Sequence, residues 1–318
     1  MTKHAVLLVG SHSSPVDTHT ILQAAELAKT EGAHLHCLYV HEELKWSSRL
    51  SQLLPDREVV KETLAEKAMR ALTKQVQSVT PADNITCSVS FGHLFLEVIR
   101  YCQKHAITIV VKAAKEPGWS RMFLDSEDLH LLRKSSVPIW LTRPESAEPV
   151  KSVAVALDFD HDEEPESQSL NKRLLSKAID IARMKSVPLH LINVFNIRDL
   201  DFATLWADDP GKLEQELLAD EKVTRQAAMQ FLISEMSEET PGIFDSLQYS
   251  IRLVNGDPAE QIAQTVGKLL SPLLVMGSVA RSGVSGLFIG NTAESTLLKV
   301  SCPIVVMKPV GFVSPVSL

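Results

Sequence analysis

The chain has 318 residues, 45% of them hydrophobic, and it carries a formal net charge of −7 at pH 7. Its length exceeds what one hydrophobic core usually serves, so we expect two domains. The sequence contains no apolar run near the roughly 20 residues of a bilayer span, and its acidity argues against direct binding of nucleic acids, which needs a basic surface.

The cysteines and the N-terminus indicate the compartment. Four cysteines, at positions 37, 87, 102 and 302, are widely spaced and form no Cys-x-x-Cys motif. This spacing favours reduced thiols over a disulfide framework or a zinc site. The opening segment MTKHAVLLVG has only five consecutive apolar residues, fewer than the apolar core of a signal peptide needs. We therefore expect a cytoplasmic protein.

Apolar strands alternate with amphipathic helices along the whole chain. In the second half, strands are predicted near residues 152–157, 189–194, 249–254, 273–276 and 304–308. Among the helices between them, residues 212–236 predict one whose apolar face holds Leu213, Leu217, Val223, Ala227, Phe231 and Ile233. Regular alternation of strand and helix predicts parallel sheets built from right-handed crossovers.

The chain also repeats itself. Residues 108–144 align without a gap with residues 273–309, at an offset of 165, and three earlier segments match as well (3–10 with 151–158, 33–40 with 187–194, 89–102 with 253–266). We predict an α/β fold with tandem domains over residues 1–146 and 147–318, each a doubly wound, Rossmann-like, five-stranded parallel sheet flanked by helices. The repeat pairs His36 with His190, one in each domain, which favours packing roles over a metal site.

The stretch MGSVARSGVSGLFIGNTAES (276–295) follows the fourth strand of the second domain, where such folds bind ligands. It contains neither a Walker A motif nor a Gly-x-Gly-x-x-Gly fingerprint. Gly277 ends the strand and would let a ligand approach the backbone. Gly290-Asn291-Thr292 opens a helix whose N-terminus suits an anion, with Asn291 as predicted N-cap and Glu294 closing a capping box. The same features also describe a well-capped helix that binds nothing.

Three segments resemble the universal stress protein family: VNGDPAEQI (254–262), VMGSVARSGVSGLFIGNTAE (275–294) and SCPIVVMKP (301–309). The resemblance covers nearly the whole chain as two family domains in tandem, and it implies a fold like that of adenine nucleotide alpha hydrolases. The nucleotide-binding branch of the family carries Gly-x-x-Gly, nine residues and then Gly-Ser/Thr. The resemblance therefore implies an adenine nucleotide site in the second domain, formed by Asp158, Val194, Met276, Gly277, Ala280, Gly290, Asn291 and Thr292.

Within this implied site, Asp158 would face the adenosine and Val194 would line the adenine pocket. Two positions depart from the family pattern. Ala280 stands where the second glycine belongs and adds a methyl group near the phosphates. Asn291 replaces the hydroxyl residue, although Thr292 supplies a hydroxyl beside it.

The first domain differs more strongly at the matching positions. Lys112, Lys115, Asp125 and Ser126 stand in place of Gly277, Ala280, Gly290 and Asn291, and Gly10 stands in place of Asp158. Asp125 would put a carboxylate where a phosphate should lie. We therefore predict that the first domain does not bind ATP in the manner of the family.

The resemblance implies a cytoplasmic protein of stress response, with roles in survival under starvation, oxidative or DNA-damaging stress. The expected ligand is ATP. The acidic segment 157–167 favours a solvated loop, and the alternative is that Asp160 or Asp162 holds a Mg²⁺ that bridges to the phosphates. Because no general base or catalytic lysine is evident, we expect no catalytic residues and at most a slow ATPase.

A second hypothesis, of a different class, is an interaction module or a carrier of an apolar ligand in which the nucleotide loop is vestigial. Val284, Leu287, Phe288 and Ile289 would then line an apolar pocket or a partner surface. Single-domain members of the family commonly dimerise through their last strand. The tandem therefore also predicts an intramolecular pseudo-dimer, in which the strands near 139–141 and 304–308 pair and cover each other's edges.

Overall fold

The computed structural model describes residues 5–43, 56–80, 84–114, 126–143, 148–159, 165–197, 200–278 and 290–317. The chain divides into two compact units. Among the described residues, the first unit contains those up to 143 together with 312–317, and the second contains 148–278 and 290–311. The domain limits 1–146 and 147–318 stay a prediction.

The first unit alternates strand and helix throughout its described length. Its elements are β1 (Ala5–Ser11), α1 (Thr18–Thr30), β2 (His34–His41), α2 (Arg57–Val79), β3 (Ile85–Phe91), α3 (Leu94–His105), β4 (Ile109–Ala113), α4 (Ser126–Lys134) and β5 (Ile139–Thr142). The strands run in parallel in the order β3-β2-β1-β4-β5, which leaves β3 beside a single neighbour, β2.

The second unit repeats this plan. Its elements are β6 (Ser152–Leu157), α5 (Pro165–Lys185), β7 (Leu189–Phe195), α6 (Leu200–Leu205), α7 (Pro210–Glu239), β8 (Tyr249–Asn255), α8 (Pro258–Gly267), β9 (Pro272–Gly277), α9 (Asn291–Lys299) and β10 (Ile304–Met307). The strands are again parallel, in the order β10-β9-β6-β7-β8. The predicted class of fold is confirmed.

Local sequence explains where several helices begin. Asp209 and Asp257 precede Pro210 and Pro258, and each aspartate accepts a hydrogen bond from a backbone N–H of the first helical turn. An aspartate N-cap followed by proline at the first helical position satisfies free amide groups and fixes the entry of the chain. The central strands β1 and β6 are buried along almost their whole length, as strands covered on both faces should be.

The predicted apolar face of α7 is wrong at Val223 and Phe231. Val223 and Phe231 are 70% and 65% exposed, whereas the buried side chains of this helix are Met229, Leu232, Ile233 and Met236. Only the C-terminal part of the helix packs on its unit, so a face read over the full length does not match a buried stripe. Among the described residues, no helix is both long and apolar enough to cross a membrane.

Candidate functional site

The candidate site lies at the carboxyl edge of the second unit's sheet, where the strand order reverses. From the central strand β6 the chain continues to β7 and β8 on one side, then crosses to β9 and β10 on the other. Such a reversal opens a crevice between the ends of adjacent strands. Val155 pairs with Val275, so Asp158 and Ser278 follow their strands at the same level.

Asp158 is exposed at the end of β6, and its backbone is held in place by a buried asparagine. The side-chain amide of Asn171, on α5, donates to the carbonyl oxygen of Asp158 at 2.7 Å. The amide oxygen of Asn171 accepts from the N–H of Asp158 at 3.2 Å. This double contact fixes where the exposed carboxylate leaves the sheet, as a ligand contact at this position requires.

Gly277 ends β9 as predicted, and the space beside it is filled from within the protein. A Cβ added at Gly277 would lie 3.0 Å from Cδ2 of Leu170, on α5. The missing side chain thus lets α5 approach the strand closely. The approach of a ligand to the Gly277 backbone, along another direction, stays a prediction.

Ser278, which sequence analysis did not single out, connects the end of β9 to the start of α9. Its N–H donates to the carbonyl oxygen of Met307 at 3.1 Å, and its carbonyl oxygen accepts from the N–H of Gly290 at 3.3 Å. The side chain is fully buried, and its hydroxyl has no hydrogen-bond partner within the described part of the chain. A buried hydroxyl without a partner is costly, which makes this the natural place for a ligand oxygen.

The predicted capping box at α9 is wrong. Gly290, with φ −62° and ψ 144°, is the N-cap, and no side chain in the described part of the chain caps the helix. The carbonyl oxygen of Gly290 accepts from the N–H of Glu294 at 2.9 Å, so helical bonding already begins one residue before Asn291. Asn291 and Thr292 are exposed residues of the first turn. Because glycine brings no acceptor, the first-turn amides are left for solvent or an anion.

The remaining described residues of the predicted site are apolar and buried. Val194, at the end of β7, is 9% exposed, and Met276 in β9 is 4% exposed. The neighbouring Asn193 is fully buried: its side-chain amide donates to the carbonyl oxygen of Leu157 at 3.0 Å, while its amide oxygen has no partner among the described residues. An apolar wall beside a few polar atoms is the usual lining of a small-molecule site.

A buried lysine lies next to this edge and was also not predicted. Lys308 follows the register pair of Met307 and Gly277 and is 5% exposed. Burial lowers the pKa of its ammonium group to about 8, since the charged form loses its hydration. Arg173, on α5, donates to the carbonyl oxygen of Lys308 at 2.6 Å. The carboxyl edge of β9 and β10 therefore holds one buried cationic group, Lys308, whose backbone carbonyl is bonded by a second cationic side chain.

In the first unit, the position that matches Gly277 carries a buried ion pair. Nζ of Lys112 lies 2.8 Å from Oδ1 of Asp128, and the two side chains are 2% and 0% exposed. The same ammonium group donates to the hydroxyl of Ser14 at 3.0 Å and to the carbonyl oxygen of Ala113 at 2.8 Å. At the offset of 165, Lys112 matches Gly277 and Asp128 matches Ala293. Internal groups thus occupy the space in which the second unit has small residues.

His36 and His190, which occupy the same position of the repeat, each form a hydrogen bond within their own unit. Nδ1 of His36 lies 3.0 Å from the hydroxyl of Tyr101, and Nδ1 of His190 lies 2.8 Å from the hydroxyl of Ser250. Burial, with His34 and His105 nearby, lowers the pKa of His36 to about 4. Within the described residues, no group of three or more His, Cys, Asp or Glu side chains could hold a metal ion.

Several residues of the sequence hypotheses lie outside the described residues. They are Ala280 of the predicted site, Lys115 and Asp125 of the first domain, Asp160 and Asp162 of the acidic segment, and the apolar loop residues Val284, Leu287, Phe288 and Ile289. The predictions that concern them stay predictions. The described part of the site brings Asp158, Gly277 and Gly290 to one edge of the sheet, as the sequence predicts.

Known proteins share significant sequence similarity with this chain. Universal stress protein E of Escherichia coli K12 is 27% identical over 197 residues, which are 60% of this chain and 57% of the relative. The matched region thus spans little more than half of the relative's length. Universal stress protein MJ0531 of Methanocaldococcus jannaschii is 28% identical over 131 residues, which are 41% of this chain and 71% of the relative.

Solved structures share the fold over the whole chain. A putative universal stress protein from Pseudomonas aeruginosa UCBPP-PA14 has a TM-score of 0.65 and 20% identity, with 97% of this chain and 94% of that chain covered. Universal stress protein structures in complex with dAMP and with cAMP match about half of this chain, with TM-scores of 0.31 and 0.32. The model of the universal stress protein family matches residues 2–143 and again residues 150–308. The chain belongs to the universal stress protein family.

Proposed function

We propose that the second unit binds an adenine nucleotide as a regulatory ligand of a cytoplasmic stress-response protein. The observation that carries the proposal is the start of α9, which lies beside the buried hydroxyl of Ser278: among the described residues, no side chain caps this helix and none bonds that hydroxyl. Free amide groups at a helix N-terminus, with the favourable end of the helix dipole, suit a phosphate group. Ser278 would donate its hydroxyl hydrogen to a phosphate or ribose oxygen.

The other end of the nucleotide would lie toward β6 and β7. Asp158 is exposed there and anchored by Asn171, so its carboxylate can accept hydrogen bonds from ribose hydroxyls. Val194 and the buried edge of β7 offer an apolar surface for the adenine ring. This orientation follows the roles that the family resemblance implies for Asp158 and Val194.

We propose binding rather than turnover as the role of the site. Among the described residues, none near the start of α9 is identified as a general base for phosphate chemistry, and we propose that any hydrolysis is slow. If Mg²⁺ accompanies the nucleotide, the phosphates supply part of its coordination, as is usual for this ion. A role in survival under stress is part of the same proposal and rests on family membership.

Gly290 offers the sharpest test of the proposal. We expect the full chain to bind ATP in a calorimetric titration and Gly290→Asp to weaken binding by about tenfold or more. The aspartate would cap the first-turn amides and repel phosphate, while its backbone geometry at φ −62° is unstrained. Gly290→Asn is the matched control, because it caps the helix without the charge and should retain more affinity than Gly290→Asp.

Two outcomes contradict the proposal. Absence of ATP binding by the wild-type chain would favour the alternative of an interaction module or a carrier of an apolar ligand. Equal affinities of wild type and Gly290→Asp would place any nucleotide somewhere other than the start of α9. Circular dichroism and thermal unfolding of each variant would show that lost binding does not reflect lost structure.

A further inference from the structure

Two cysteines of the first unit lie side by side on neighbouring strands. Cys37 in β2 and Cys87 in β3 are register partners in the parallel pairing of these strands. Register partners on adjacent strands are about 4.8 Å apart, and disulfides form at Cα separations of about 4.4–6.8 Å. Both side chains point to the same face of the sheet, because paired residues share the pleat.

The two thiols are neighbours, and a helix residue lies near them. The Cys37 thiol and the hydroxyl of Thr73, on α2, are close enough to Cys87 to lower the pKa of its thiol. Cys37 is fully buried, whereas Cys87 is half-buried on β3, for which β2 is the only pairing strand among the described residues of this unit. Cys87 is thus the more exposed residue of the pair, at the side of the sheet, and Cys37 is the buried one.

Their environments separate the two thiols chemically. Hydrogen bonds donated by Cys37 and Thr73 lower the pKa of Cys87 to about 6, against the opposing effect of burial. The same hydrogen bond, together with burial, raises the pKa of Cys37. These opposite directions favour the thiolate at Cys87 and the protonated thiol at Cys37. This is the arrangement of a reactive thiol with a resolving thiol beside it.

We propose that Cys87 is a peroxide-reactive thiol and that Cys37 closes it into a cross-strand disulfide. The oxidant is a hydroperoxide, ROOH. The Cys87 thiolate attacks the terminal oxygen, so an S–O bond forms, the O–O bond breaks, and ROH leaves after taking up a proton. The sulfur loses two electrons and becomes a sulfenic acid. Cys37 then attacks this sulfur, the S–S bond forms, the S–O bond breaks, and the thiol proton leaves with the hydroxyl group as water.

The second unit shows that this pair is not required by the fold. At the matching register position it pairs Leu191 with Ile251, two apolar side chains without redox chemistry. The first unit, whose Lys112 and Asp128 fill its own nucleotide position, thus carries a chemical group that the second unit lacks. The proposal goes beyond nucleotide binding and does not depend on it.

The other cysteines provide internal controls. Cys102, on α3, is buried, and burial raises the pKa of its thiol, so it should react slowly with peroxide. Cys302 is also buried. A selective reaction at Cys87 would therefore be distinguishable from general oxidation of the protein.

The test treats the reduced full chain with hydrogen peroxide and maps its peptides by mass spectrometry without reduction. We expect a Cys37–Cys87 disulfide in the wild type and in Cys102→Ser. In Cys37→Ser the reaction should stop at the sulfenic acid, which dimedone would trap at Cys87. In Cys87→Ser neither a disulfide nor a label at Cys37 should form.

A second measurement keeps the proposal falsifiable if Cys37→Ser fails to fold. In the wild-type chain, iodoacetamide should alkylate Cys87 at least tenfold faster than Cys102, with a pH midpoint near 6, the pKa of Cys87. Thr73→Val should shift this midpoint upward, because the thiolate loses a donor. Peroxide treatment of the folded wild type without a Cys37–Cys87 disulfide, or equal alkylation of Cys87 and Cys102, would overturn the proposal.

Discussion

The charge state of the buried Lys308 should affect stability. Its pKa is lowered to about 8 by burial, whereas the unfolded chain restores it to the ordinary value of 10.5. Between these two pH values the unfolded state binds more protons, so the free energy of unfolding should rise with pH. The contribution of Lys308 over this window is about 3 kcal/mol.

Lys308→Met isolates this contribution, because it keeps the length of the side chain and removes the charge. We expect the variant to be more stable than wild type at pH 7 and to lose the rise in stability between about pH 8 and 10.5. Urea unfolding at a series of pH values measures both effects. Lys268→Met, at an exposed position, should follow the wild-type curve. Parallel curves for wild type and Lys308→Met would refute the expectation.

The roles of single residues were the hardest feature to predict from the sequence. Asn171, Ser278 and Lys308 are polar residues whose importance comes from burial, and burial depends on how α5, β9 and β10 pack together. A weak signal existed for Asn171, which lies at helical spacing from the buried Leu174, Leu175 and Ala178. The contact of Cys37 with Cys87 depends on the register between two strands far apart in sequence, which one sequence does not specify.

At the scale of elements, a buried ion pair in the first unit links α4 to β4. Lys112 lies on β4 and Asp128 on α4, with 2.8 Å between their charged atoms. Asp128→Ala would leave a buried ammonium group without its counterion, and we expect a loss of about 3–5 kcal/mol of stability. The double variant Lys112→Met, Asp128→Ala should be more stable than Asp128→Ala alone, because it removes the stranded charge.

A double-mutant cycle in urea, with Lys112→Met as the second single variant, measures the coupling. Glu66→Ala provides a control, since its ion pair with Arg70 is exposed and should contribute less than about 1 kcal/mol. If Asp128→Ala behaves like Glu66→Ala, the pair does not hold the two elements together. The cycle also tests why the first unit tolerates a lysine where the second has Gly277.

The internal repeat predicted the bounds of helices and strands more reliably than the periodicity of apolar residues predicted their buried faces. Shifted by 165 residues, the bounds of α4 and β5 coincide with those of α9 and β10, as the ungapped alignment of the two halves requires. The buried face of α7 was not predictable in the same way, because Val223 and Phe231 are apolar but exposed, so apolar character alone does not identify the buried side chains. The cap of α9 was missed because Gly290 and Asn291 are both favourable N-cap residues, and only backbone geometry distinguishes them.

At the scale of the whole molecule, a duplicated fold has two similar frameworks and two different chemistries. The second unit keeps small residues and an uncapped helix at the edge where nucleotides are proposed to bind. The first unit fills the matching position with Lys112 and Asp128 and carries the thiol pair of Cys37 and Cys87 instead. Under the proposed function, the second unit binds the nucleotide and the first unit does not.

This division of roles predicts the stoichiometry of nucleotide binding. The full chain should bind a single ATP, because the buried ion pair of the first unit leaves no room for phosphate beside β4. Binding to the native state alone should also raise the thermal midpoint of the second unit as the ATP concentration increases. Equilibrium dialysis measures the stoichiometry, and Gly290→Asp should reduce it toward zero. Two bound nucleotides per chain, with one surviving in Gly290→Asp, would show that the ion pair opens and that the first unit is a second site.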